Sequence, residues 1–248
     1  MGKTPSCSRA STRSSWSRRL AAAVLAAVLT GVAPVARSSA AASPHPLVVA
    51  LGDSITYGWR LPHPPTQNYA AVYARRIGAK LVDYAVPGYT CLDIAREDYA
   101  KMPSGASTVI LNCGTNDIGG FGPSAGELPN GHHRIPPATP AKLLISEKAF
   151  KDIVAIVRRK EPKAQIVAIT VRSWQRMTGP EDPRFAKDVT AWNVMIGKLH
   201  VRVVDIAADR RMYEAAFIQA DLLHPNVAGN DVIAGDVFAV MKPGGQAK

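Results

Sequence analysis

Between residues 47 and 240 the chain alternates short β-rich apolar runs with longer segments of helical spacing, and few folds accept that order. Residues 47–51 (Leu-Val-Val-Ala-Leu) form a continuous apolar run before Gly52 and Asp53, which is how a strand buried on both faces reads. Further strands are expected at 80–85, 108–112, 165–170 and 201–204. Helices are expected at 68–77, with Tyr69, Val72, Tyr73 and Ile77 on one side, and from an N-cap at Thr90 to about Lys101. The longest covers 141–160, with Leu144, Phe150, Ile153, Val154 and Val157 facing inward and Pro162 as a stop. Two more follow at 185–199 and 227–240. Strands alternating with helices imply an α/β domain, a central parallel sheet of about five strands covered on both faces. Sites in such domains open at the carboxyl ends of the strands.

Three polar segments fall at those ends, and a fourth lies just before the last helix. They are Gly52-Asp53-Ser54 (continuing Ile55-Thr56-Tyr57-Gly58), Pro87-Gly88-Tyr89-Thr90, Gly114-Thr115-Asn116-Asp117 and Asp221-Leu222-Leu223-His224-Pro225-Asn226. Together they supply what acyl transfer requires. A serine hydroxyl is a weak nucleophile until an imidazole takes its proton, and a carboxylate must hold that imidazole in the right tautomer. The tetrahedral intermediate carries an oxyanion that needs preorganised donors. The candidate nucleophile is Ser54, the general base and acid His224, and the orienting carboxylate Asp221. The candidate oxyanion donors are the backbone N–H groups of Ser54 and Gly88 and the side-chain amide of Asn116. Asp117 has no partner histidine in sequence and reads as structural.

In these four segments the chain resembles an SGNH hydrolase of the GDSL esterase/lipase superfamily. Gly52-Asp53-Ser54-Ile55 is similar to the family's first block, Gly88 to its second, Gly114-x-Asn116-Asp117 to its third and Asp221-x-x-His224-Pro225 to its last, all in the family's order. The resemblance implies a three-layer, flavodoxin-like fold over residues 43–248, and hydrolysis of carboxylic esters through a covalent acyl-enzyme on Ser54 without metal or cofactor. Asp83 and Pro87 depart from the family pattern, which usually has Asn at the first position and Ser or Ala at the second.

Other motifs carry less. Gly122-Pro123-Ser124-Ala125-Gly126 fits the G-x-S-x-G elbow, but that elbow needs a strand before the serine and a helix after it, and here it sits in a loop. His132-His133 lacks the partners of a metal site. His200 and the basic runs at 158–160 and 210–211 read as solvated ends of elements. Tyr57, Trp59, Arg60, Tyr89, Arg172, Trp174 and the 119–140 loop are candidates to line an acyl or leaving-group pocket. Cys91 and Cys113 are expected as two buried thiols, with a bond as the alternative. Strands two and three should flank strand one, about 10 Å apart, whereas a disulfide needs Cα atoms within ~7 Å.

The net charge of +11 suggests a polyanion partner until the charges are located. Residues 1–42 hold six basic and no acidic residues, an Ala/Val/Leu run at 20–35 and a small-residue site, Ala40-Ala41-Ala42. That order describes a secretory signal peptide, and Ser17-Arg18-Arg19-Leu20 resembles a twin-arginine export signal. The run is short, Ala-rich and broken by Pro34, which disfavours a membrane anchor. Without it, 24 basic residues face 19 acidic ones, an ordinary surface. The expectation is a secreted monomer (periplasmic if there is an outer membrane) acting on a small-molecule or polysaccharide-linked ester, with short acyl groups favoured over lipids and no nucleic acid as partner. The alternatives are a secreted non-catalytic module binding acidic or cell-wall polymers, and an acyltransferase using the same residues.

Overall fold

In the computed structural model, residues 45–97, 101–120, 137–177 and 179–242 are described. The residues 1–42 read as an export signal, Ser124 of the G-x-S-x-G segment and the His132-His133 pair lie outside them. Five strands, β1 (Leu47–Gly52), β2 (Lys80–Asp83), β3 (Thr108–Asn112), β4 (Gln165–Ile169) and β5 (Arg202–Val204), form one sheet in the order β2-β1-β3-β4-β5. Every pairing is parallel, with Val49 opposite Val82 on one side and Val109 on the other. The helices are α1 (Ser54–Tyr57), α2 (Pro64–Gln67), α3 (Tyr69–Arg76), α4 (Cys91–Glu97), α5 (Thr115–Ile118), α6 (Pro140–Lys160), α7 (Pro183–Gly197) and α8 (Val227–Met241).

Alternate strand residues feed two separate cores, which is why the strands read as unbroken apolar runs. Val49, Leu51, Val109, Leu111, Ile166 and Ala168 pack under α4, α6 and α7. Val48, Ala50, Ile110, Val167 and Ile169 pack under α3 and α8 on the opposite face. The result is three layers. The long helices start where sequence caps demand. Asn68 accepts from the Ala71 N–H, Thr139 from Lys142, Asp182 from Arg184 and Asn226 from Gly229. Thr90 and Asp93 bond reciprocally, side chain to backbone in both directions, as a capping box does.

Two expectations are corrected. Leu144 does not face inward: it is 66% exposed, and α6 buries Ser146, Ala149, Phe150, Ile153, Val154 and Val157 instead. At 3.6 residues per turn, Leu144 stands roughly 120° around the helix from Phe150. Cys91 and Cys113 are not free thiols but a disulfide with Cα atoms 5.4 Å apart. Strands β2 and β3 do flank β1, as expected. However, the chain leaving β2 turns across the carboxyl end of β1, where the Val86 N–H donates to the Gly52 carbonyl, and brings Cys91 to the end of β3.

Candidate active site

Three of the polar segments lie on the loops that leave β1, β2 and β3, at the carboxyl edge of the sheet. Gly52 ends β1 opposite Asn112, and a Cβ there would overlap the Thr56 side chain and press on the Asn112 carbonyl. That contact lets α1 begin at once. Asp53 caps α1 by accepting from the Ile55 N–H at 2.9 Å, and Ser54 is its first residue. The Ser54 N–H therefore belongs to the orphan donors of a helix start. Asp53 is wholly buried, and burial, reinforced by the charge of Asp117, pushes its carboxyl up to about 7.

His224 is buried beside Ser54. Its Nε2 lies 2.8 Å from Ser54 Oγ, and its Nδ1 lies 2.8 Å from Asp221 Oδ2. With Nδ1–H donating to the carboxylate, Nε2 is left with a lone pair directed at the hydroxyl. The other oxygen of Asp221, Oδ1, accepts from the backbone N–H groups of Leu223 and His224 at 3.0 Å each. Burial works against the Asp221 anion. The hydrogen bonds and charge of His224, with those two N–H groups, outweigh it and hold the carboxyl down to about 2. An antiparallel bridge between Ile218 and Pro225 closes the base of this turn.

On the opposite side, the Asn116 side-chain amide donates to the Tyr89 carbonyl at 2.8 Å, which sets it against the loop carrying Gly88. A planar amide has a second N–H to spare. Gly88 has φ +88, where a side chain is strained, and no atom lies within 4 Å of where a Cβ would stand. Both carboxylate oxygens of Asp117 accept from the Cys91 N–H at 3.1 Å, so Asp117 ties the two loops together. Cys91, Cys113 and Asp117 approach one another closely enough to suggest a metal cluster, but the two sulfurs are bonded to each other. Asp83, one of the two departures from the family pattern, is held by Asn68 Nδ2 and by the Ala85 N–H.

The proposed pocket residues divide. Tyr57 is exposed and stacks obliquely near Trp59, with ring centroids 6.5 Å apart. Trp174, partly buried, packs edge-on against Phe185 at the margin of the core, while Arg172 is buried and bonded to the turn of His224. Sequence reasoning missed both this link and Gln219. The Gln219 Nε2 group donates to the carbonyls of Trp59 and Pro225, joining the loop after Ser54 to the His224 turn. It also missed Asn230, fully buried, whose side-chain oxygen accepts from the Tyr69 N–H; its signal is a lone amide in a mostly apolar helix. An open groove of about 510 Å³ lined by Thr170, Arg176, Glu181, Thr190, Asp205 and Tyr213 includes neither Ser54 nor His224.

Residues 50–232 match the family model of the GDSL-like lipase/acylhydrolase family. Similar solved structures include a lipase, Lip_vut3, from a goat rumen metagenome (TM-score 0.60, 15% identity, covering 79% of this chain and 97% of that one). Phospholipase A1 from Streptomyces albidoflavus NA297 has a TM-score of 0.58 at 18% identity, covering 79% and 98%. The psychrotrophic esterase EstA from Pseudoalteromonas sp., described as inhibited by monoethylphosphonate, has a TM-score of 0.57 at 15% identity, covering 79% and 96%. At these identities the likeness is one of fold. No curated protein matches the chain. No described helix is long and apolar enough to cross a membrane.

Proposed function

Because the chain belongs to the GDSL-like lipase/acylhydrolase family, we propose that it hydrolyses carboxylic esters through an acyl-enzyme on Ser54. The observation that carries this reading is the continuous chain Asp221–His224–Ser54, each link 2.8 Å. His224 Nε2 takes the Ser54 proton as Oγ attacks the ester carbonyl. The carbonyl oxygen becomes an oxyanion facing the N–H groups of Ser54 and Gly88 and the free N–H of Asn116. Collapse breaks the bond to the alcohol, which leaves with the proton from imidazolium. Water then attacks the acyl-enzyme, gives its proton to His224 and releases the acid, returning the proton to Ser54. Asp221 stabilises the imidazolium without taking its proton.

The substrate in this proposal is a short-chain or polysaccharide-linked acyl ester. In support, Tyr57 is the exposed large apolar side chain next to Ser54 among the described residues, a small surface on which to hold a long acyl chain. We further propose that residues 1–42 are an export signal and that residues 43–248 act outside the cytoplasm. The test is labelling by a fluorophosphonate together with hydrolysis of p-nitrophenyl acetate. Wild type should react at Ser54, and S54A and H224A should lose both labelling and turnover. Full activity in S54A ends the proposal, and a chain-length series with acetylated polysaccharides ranks the substrates.

A further inference from the structure

Asp221 Oδ1 fixes the N–H groups of the turn that carries His224, and the carbonyls of Leu222 and Leu223 take their bonds from elsewhere. Arg172, three residues past the end of β4 and only 6% exposed, meets both of them. Its Nη2 donates to each carbonyl oxygen at 2.8 Å, and its Nη1 reaches Met177 Sδ at 3.2 Å. The guanidinium lies 5.7 Å from the centre of the Tyr213 ring. Leu222 itself has φ 60, a left-handed conformation that a branched side chain rarely adopts and that surrounding structure must maintain. The origin of Arg172 is equally fixed. Asn193 on α7 bonds both the N–H and the carbonyl of Val171 at 2.8 Å.

We infer that Arg172 is a positioning residue for the hydrolytic reaction, its guanidinium holding the left-handed Asp221–His224 turn so that the imidazole meets Ser54. The inference rests on the hydrolase reading above. A guanidinium suits this place because one terminal nitrogen offers two coplanar N–H bonds on a stem that stays packed in the interior. Lysine has donors enough for both carbonyls, but its stem ends one bond short of Nη2, and its compact, strongly hydrated ammonium is poorly suited to a buried site.

R172A and R172K would be compared with wild type by kcat and KM on p-nitrophenyl acetate, by thermal unfolding, and by the low-field proton resonance of the His224–Asp221 hydrogen bond. Misplacing a reacting group by about 1 Å can cost ~10²-fold. R172A should therefore lose about 10- to 100-fold in kcat with KM nearly unchanged, and should lose or broaden the proton resonance. R172K should fall between, and added guanidinium should restore part of the R172A activity but none of that of S54A. A folded R172A with wild-type kcat and resonance overturns the inference, as does a loss confined to KM. Should R172A not fold, R172K decides alone: a lowered kcat at unchanged KM with a perturbed resonance sustains the inference, and wild-type values overturn it. Activity retained in S54A would instead remove the hydrolase reading itself, so the two failures are distinguishable.

Discussion

Asp221 and His224 stand three residues apart in one turn and bond to each other directly, whereas Asn116 reaches the Gly88 loop across a separation of 27 residues. The proposed proton-transfer half of the site is thus largely a local motif, whose backbone N–H groups and carboxylate close on themselves. The proposed oxyanion half is assembled at long range. It depends on the path over β1, on the Cys91–Cys113 bond and on the buried Asp117 carboxylate that receives the Cys91 N–H. A local motif should fail chemically when cut. An assembled one should fail partly through loss of fold stability.

The sharpest break is expected on the local side. D221N keeps the shape of the turn but favours the wrong imidazole tautomer, and kcat should fall by about 10⁴-fold with the melting temperature little changed. On the assembled side, N116A removes one proposed oxyanion donor and should cost ~10²–10³ in kcat with KM nearly constant, read from steady-state kinetics. The double variant C91A/C113A should act mainly on stability. A loop of this size contributes about 3 kcal/mol when closed, and a domain of this length loses roughly 2–4 °C per kcal/mol, so calorimetry should show a drop of about 6–12 °C. An unchanged melting temperature would mean that Asn116 and Asp117 alone hold the oxyanion side.

The last effect is confined to a pH window and concerns Asp53, which feels the charge of Asp117. Its carboxyl is raised to about 7 in the folded chain, so the folded state binds this proton more tightly than the unfolded state, where the value is about 4. Its contribution to stability is fully present below about pH 4 and is lost as pH rises through about 7. D53N retains an acceptor for the Ile55 N–H and should flatten that part of the stability profile. Melting curves of wild type and D53N that run parallel from pH 4 to 8 would rule this out.

How much of this was legible in the sequence follows the same division. The strand runs declared themselves because both faces of the sheet are covered, and Ser54 and His224 stood out because Gly-Asp-Ser and Asp-x-x-His each pack their requirements into four residues or fewer. Thr90 was readable as a cap because its partner, Asp93, is three positions away. The disulfide was not legible, because a two-strand spacing says nothing of a loop that crosses over the strand between. The link from Arg172 to the His224 turn was not legible, because its partners are backbone carbonyls 50 and 51 positions away, which carry no side-chain signature. Leu144 was misassigned because apolar character alone does not say which way a residue faces on a helix.

Both sulfurs of the Cys91–Cys113 bond lie wholly inside the protein. A reductant or oxidant must wait for the loop over β1 to open before thiol–disulfide exchange can begin, since exchange requires in-line access to sulfur. The bond is therefore exchanged only as often as that loop opens. A reductant kept out of the interior should thus leave the bond intact in the folded chain and break it once the chain unfolds.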